Sequence, residues 1–99
     1  MPIVHIVLFK FKETATAAEI DNVKTRLLAL PGLLPHLITK ATFGKSFTDR
    51  HHGFEYAFTV DMPSREALAE YSPHEIHMDV VTNVIRPLVA DIMAIDYDV

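Results

Sequence analysis

The segment I-V-H-I-V-L-F-K-F at residues 3–11 leaves this chain few ways to fold. Its β-branched and aromatic residues, bounded by Pro2 and the polar run K-E-T-A-T, predict a strand. Side chains alternate across a strand, so Ile3, His5, Val7, Phe9 and Phe11 share one face while Val4, Ile6 and Leu8 share the other. Both faces are apolar, and such a strand must be covered on both sides. The remaining elements decide what the two covers are.

Thr16-Ala17-Ala18-Glu19 reads as a capping box, with Ile20, Val23, Leu27 and Leu30 behind it at helical spacing. Pro31-Gly32 is expected to end that helix. Residues 37–47 predict a second strand. A third runs from Phe54 through Tyr56, Phe58 and Val60 to Asp61, joined to the second as a hairpin across T-D-R-H-H-G. Ser64 caps a short helix through Glu70, residues 72–88 form a second helical piece, and 90–98 read as a final strand. The order β-α-β-β-α-β is the α+β, ferredoxin-like arrangement: a four-stranded antiparallel sheet with helices on one face. Two helices cover one face only, so the other calls for a second copy of the chain, giving a homodimer with sheets face to face.

Composition supports that expectation. A single domain of 99 residues is small, yet 49% of them are hydrophobic, more than a two-layer domain of this size buries alone. The net charge is −4 and the lysines are scattered, which argues against nucleic acid as a partner. The chain has no cysteine, excluding disulfides, thiolate metal sites and thiol catalysis. Its N-terminus reads as a strand rather than a signal peptide, and no apolar run approaches a membrane span. The expectation is a soluble, cytoplasmic protein that does not engage a membrane.

The polar residues gather in E-Y-S-P-H-E-I-H-M-D, residues 70–79. Ser72, Pro73 and Glu75 look like a second helix start, with Ser72 as cap and Glu75 completing a capping box. Tyr71 would then end the preceding helix, and His74 and His77 would lie in the first turns of the next. There the helix dipole disfavours a protonated imidazole, and a neutral histidine is ready to act as a base. Val81, Val84 and Leu88 fall at +4, +7 and +11 from His77, which places His77 on the apolar stripe, pointing at the sheet. His74 falls at the flank of that stripe. His5 approaches from the sheet side if its face is the helix-covered one, and Tyr56 is a further candidate for the same space.

A plainer account stands beside this one. A lone histidine on an apolar stripe is more often a hydrogen-bonded core residue than a catalyst. His36, His51 and His52 sit in loop contexts and read as solvated. The spacing H-E-x-H is one residue short of the zinc-protease H-E-x-x-H, so no metal site is expected. With three glycines in the chain there is no phosphate-cradling loop.

The opening M-P-I-V-H-I-V-L-F-K-F-K, the Y-x-x-H-x-x-H of residues 71–77 and the closing I-D-Y of 95–97 resemble the stress-responsive A/B barrel (Dabb, dimeric α+β barrel) family over essentially the whole chain. The resemblance implies a homodimeric α+β barrel. It extends to the family's plant polyketide cyclases, which perform an intramolecular aldol condensation without a cofactor. Carried over residue by residue, it implies His77 as base and Tyr71 as the group polarising the substrate, with His5, Tyr56 and His74 in the pocket. Tyr56 stands where those cyclases have a histidine, and Ser72-Pro73 replaces two apolar residues. Three functions stay open: a cyclase or related lyase acting on a β-polyketone, a non-catalytic ligand-binding or stress-protective dimer, and a cofactor-independent oxygenase of the wider superfamily.

Overall fold

A computed structural model describes all 99 residues. The first strand, β1 (Ile3–Phe11), lies inside a four-stranded antiparallel sheet of order β2-β3-β1-β4, between β3 (Tyr56–Met62) and β4 (Val89–Asp98), with β2 (Lys40–Lys45) at the far edge. This is the ferredoxin-like α+β fold. The pairing registers place Val60 and Asp96 opposite His5, and Phe58 and Ala94 opposite Val7. Ile3, Phe9, Phe58 and Val60 are buried beneath the helices. On the other face Val4, Ile6 and Leu8 are only half-buried, because one chain supplies no second layer there.

Helix α1 (Ala17–Leu28) starts at the expected capping box, with the Glu19 amide donating to the Thr16 hydroxyl and the Thr16 amide to the Glu19 carboxylate. Pro31-Gly32 does not terminate the helical region. It lies inside a second short helix, α2 (Leu30–Leu33), where proline is tolerated because first-turn amides lack intrahelical partners. The second strand is shorter than predicted. Leu37 and Ile38 are not strand residues; both amides return to the Leu34 carbonyl and both side chains plug the core. Their hydrophobicity reflects burial in a turn, which a strand pattern cannot distinguish. Phe54 likewise belongs to the loop before β3.

The largest departure is at residues 71–88. Helix α3 (Arg65–Tyr71) includes Tyr71, and Ser72 closes this helix rather than opening the next, its hydroxyl donating to the Leu68 carbonyl. The predicted second capping box does not form. His74 caps α4 (Glu75–Asp79) instead, its Nδ1 accepting from the Ile76 amide at 3.1 Å. The helix then widens into a π-helical segment, Val80–Ile85, in which the Arg86 amide reaches the Val81 carbonyl five residues back. A π turn adds one residue to the helical repeat. The inward stripe beyond His77 therefore continues through Val81 and Ile85, while Val84 and Leu88 rotate toward α1.

Candidate acid–base site between the sheet and helix α4

Tyr71 stands at the last turn of α3 and His77 in α4, and the break between the two helices lets their rings meet. The centroids lie 4.1 Å apart with the planes tilted by 36°. His5 comes up from β1 and meets the Tyr71 ring edge-on at 6.1 Å. The three line one cavity of about 350 Å³ between β1, β4 and the helical segment. Its remaining wall is apolar, built chiefly from Val7, Phe9, Phe58, Val81 and Ile85. A mostly apolar chamber with a few convergent polar groups is the usual form of a small-molecule site.

The hydrogen bonds decide which atoms are available. His77 Nδ1 lies 2.9 Å from the Ser72 carbonyl, which can only accept, so Nδ1 carries the proton. In the neutral ring Nε2 is then left with a free lone pair. Burial holds the His77 pKa below the ordinary histidine value; the Ser72 carbonyl opposes this, and the nearby His5 and His74 reinforce it. The direction agrees with a neutral imidazole, but burial, rather than a place in the first helical turn, is its leading cause. Tyr71 is 1% exposed, and burial alone pushes its phenol well above the ordinary tyrosine value. It therefore stays protonated across physiological pH and acts as a donor.

His5 is held by a group that the local sequence pattern did not reveal. Its Nδ1 donates to the Asp96 carboxylate, directly across the β1–β4 ladder. Asp96 sits in the same closing I-D-Y run that carries the family resemblance. The signal that would have found it is period-two alternation combined with the pairing of β1 and β4: only then does Asp96 share the face of His5.

Two candidates lie elsewhere. Tyr56 pairs with Phe9 at the other end of β3 and packs against Phe11 and Phe43, with ring centroids at 5.2 and 5.8 Å. It is on the helix-covered face but several residues along the strand from His5, outside the cavity. His74 is spent on capping α4 and does not line the cavity either. His36 pairs with Glu70 at the surface, and His51 accepts from the Gly53 amide within its loop. A second, larger concavity of about 860 Å³ lies on the open face of the sheet beside the β2–β3 loop, away from Tyr71 and His77.

Comparison with known proteins agrees with the fold. The chain is 33% identical over 93 residues to a stress-response A/B barrel domain-containing protein of Arabidopsis thaliana, covering 94% of this chain but 35% of that protein. This chain thus spans little more than a third of that relative. It is 29% identical over 99 residues to a second stress-response A/B barrel domain-containing protein of the same plant, covering 97% of this chain and 88% of the relative. Among solved structures, a dimeric ferredoxin-like protein of unknown function from Thermobifida fusca superposes with a TM-score of 0.84 at 27% identity, covering 100% of this chain and 92% of that one. The hydroxynitrile lyase of Passiflora edulis superposes with a TM-score of 0.90 at 18% identity, covering 99% and 93%, a likeness of fold alone. Residues 3–99 match the model of the stress responsive A/B barrel domain, and the chain belongs to that family.

Proposed function

We propose that this protein is a cofactor-independent acid–base enzyme of the lyase or cyclase type, acting on a small apolar molecule that carries a β-dicarbonyl or similarly acidic C–H group. The observation that carries this reading is the contact of Tyr71 and His77 at one end of an apolar cavity, with His77 Nδ1 committed to Ser72 and its Nε2 left free. His77 Nε2 removes a proton from the carbon α to a carbonyl. The C–H electron pair becomes the enolate double bond, and the developing oxyanion accepts a hydrogen bond from the Tyr71 hydroxyl. In an aldol closure the enolate carbon bonds to a second carbonyl carbon of the same molecule. Its oxygen then takes back the proton held by His77. The cycle consumes no oxidant and needs only one base, because an α-proton between two carbonyls is already acidic.

The reading includes a homodimer. Met93, Ile95 and Tyr97 on β4 are 41%, 49% and 51% exposed and continue the apolar strip of Val4, Ile6 and Leu8 on β1. Face-to-face packing of two sheets would bury that strip, and the Thermobifida fusca structure is described as dimeric.

The test is solvent exchange of α-protons. A short-chain 1,3-diketone incubated in D2O with catalytic protein should exchange faster than the buffer control. His77→Gln should lower the enhancement about 10²- to 10⁴-fold, the usual worth of a positioned base. Saturable binding with no enhancement would instead make the protein a ligand carrier.

A further inference from the structure

The mechanism above uses Tyr71 and His77 and leaves His5 without a task. His5 is one of the three polar groups of the cavity, with its side chain 12% exposed, while Asp96 is 41% exposed at the sheet edge. A carboxylate accepts, so the Nδ1–H of His5 is the donor, and the ring presents Nε2 from its opposite edge. A partner on one ring nitrogen sets the protonation of the other. With both rings neutral, the cavity offers two acceptors, the Nε2 atoms of His5 and His77, and one donor, the Tyr71 hydroxyl. No lysine or arginine lines it.

Resting on the cavity described under the proposed function, we propose that Asp96 is a positioning residue that locks His5 with Nε2 as the second acceptor, so that the site selects an uncharged head group bearing hydroxyls over a carboxylate. A carboxylate entering this chamber would lose its hydration and meet no cation, so its charge would be buried unpaired. A hydroxyl or enol loses less and can donate to either imidazole.

The experiment uses 15N-labelled full chain, wild type and the variants Asp96→Asn and Asp96→Leu, with the His5 tautomer read from long-range 1H–15N correlations above neutral pH. Each protein is also titrated with 4-butylphenol and 4-butylbenzoate. Wild type should show the Nδ1–H tautomer and bind the phenol at least tenfold more tightly than the benzoate. Asp96→Asn, which keeps an acceptor oxygen, should preserve both results. Asp96→Leu should move population toward Nε2–H and weaken the phenol about tenfold, the equivalent of one hydrogen bond. A wild-type His5 protonated at Nε2, a Leu variant unchanged in tautomer and affinity, or a benzoate that binds as tightly as the phenol would each overturn the proposal. The tautomer is read without ligand. Failure of every protein to bind either probe would therefore count against the cavity reading, while the tautomer still decides the role of Asp96.

Discussion

Tyr71 places a buried phenol at the wall of a cavity, with burial as the sole cause of its raised pKa and no hydrogen bond opposing it. Removing a hydroxyl that has no protein partner costs the fold little. Tyr71→Phe should thus unfold within about 0.5 kcal/mol of wild type in denaturant while losing about 10²-fold in α-proton exchange, as expected for one oxyanion donor. His77 adds a pH signature to stability. Its folded pKa lies below the unfolded value, so between the two the unfolded chain binds more protons. The stability linked to His77 is complete above the unfolded pKa of about 6.5 and is lost as pH falls through that window. Comparing urea midpoints across this window, wild type should fall more steeply on acidification than His77→Gln. The shared location of Tyr71, His77 and His5 was readable on different grounds: helical spacing aimed His77 inward, the helix break left Tyr71 free to approach it, and His5 depended on which face of β1 the helices cover. Tyr56 satisfied the same face rule and still lies apart, since alternation fixes a face but not a position along the strand. Asp96 was hidden for the converse reason: its role depends on which strand lies beside β1, a fact no local pattern contains.

At the scale of elements, the region from Ser72 to Leu88 shows why start signals mislead. Ser72, Pro73 and Glu75 satisfy a capping box on paper, yet the chain uses Ser72 to finish α3 and gives the cap to His74. Two short helices with a tight junction are what bring Tyr71 over His77; one continuous helix would turn side chains six residues apart onto faces about 120° apart. Because His74 caps and does not line the cavity, His74→Asp should retain or raise stability, aspartate being among the strongest N-caps, while a carboxylate in place of a group that holds the His77 pKa down should move the exchange limb to higher pH without abolishing it. Thermal melts and the pH profile of exchange check the two halves of that expectation. The π segment was invisible for a different reason. The one-residue widening accompanies the burial of Val80 and Ile85 at its two ends, whereas helical periodicity read from sequence assumes a constant repeat.

The whole molecule is organised by the two apolar faces of β1. One is met by the helices and holds the cavity; the other continues into β4 and leaves Met93, Ile95 and Tyr97 exposed. That much of the architecture was readable from residues 3–11, because a doubly apolar strand demands two covers. The ferredoxin-like sheet expected from the order of elements is the one found, whereas the depth of the cavity was not readable, since it arises from contacts distant in sequence. Ile6→Lys, a charge placed at the centre of the open face, should shift the protein from dimer to monomer in sedimentation velocity; an unchanged species would remove the open face from the assembly. The proposed base is one neutral imidazole in one cavity, and the pH profile of α-proton exchange reads its titration. Exchange by wild type should rise through a single pKa below about 6.5 and then stay level, with that limb missing in His77→Gln. A limb centred at or above that value, or one that survives in His77→Gln, would contradict the assignment.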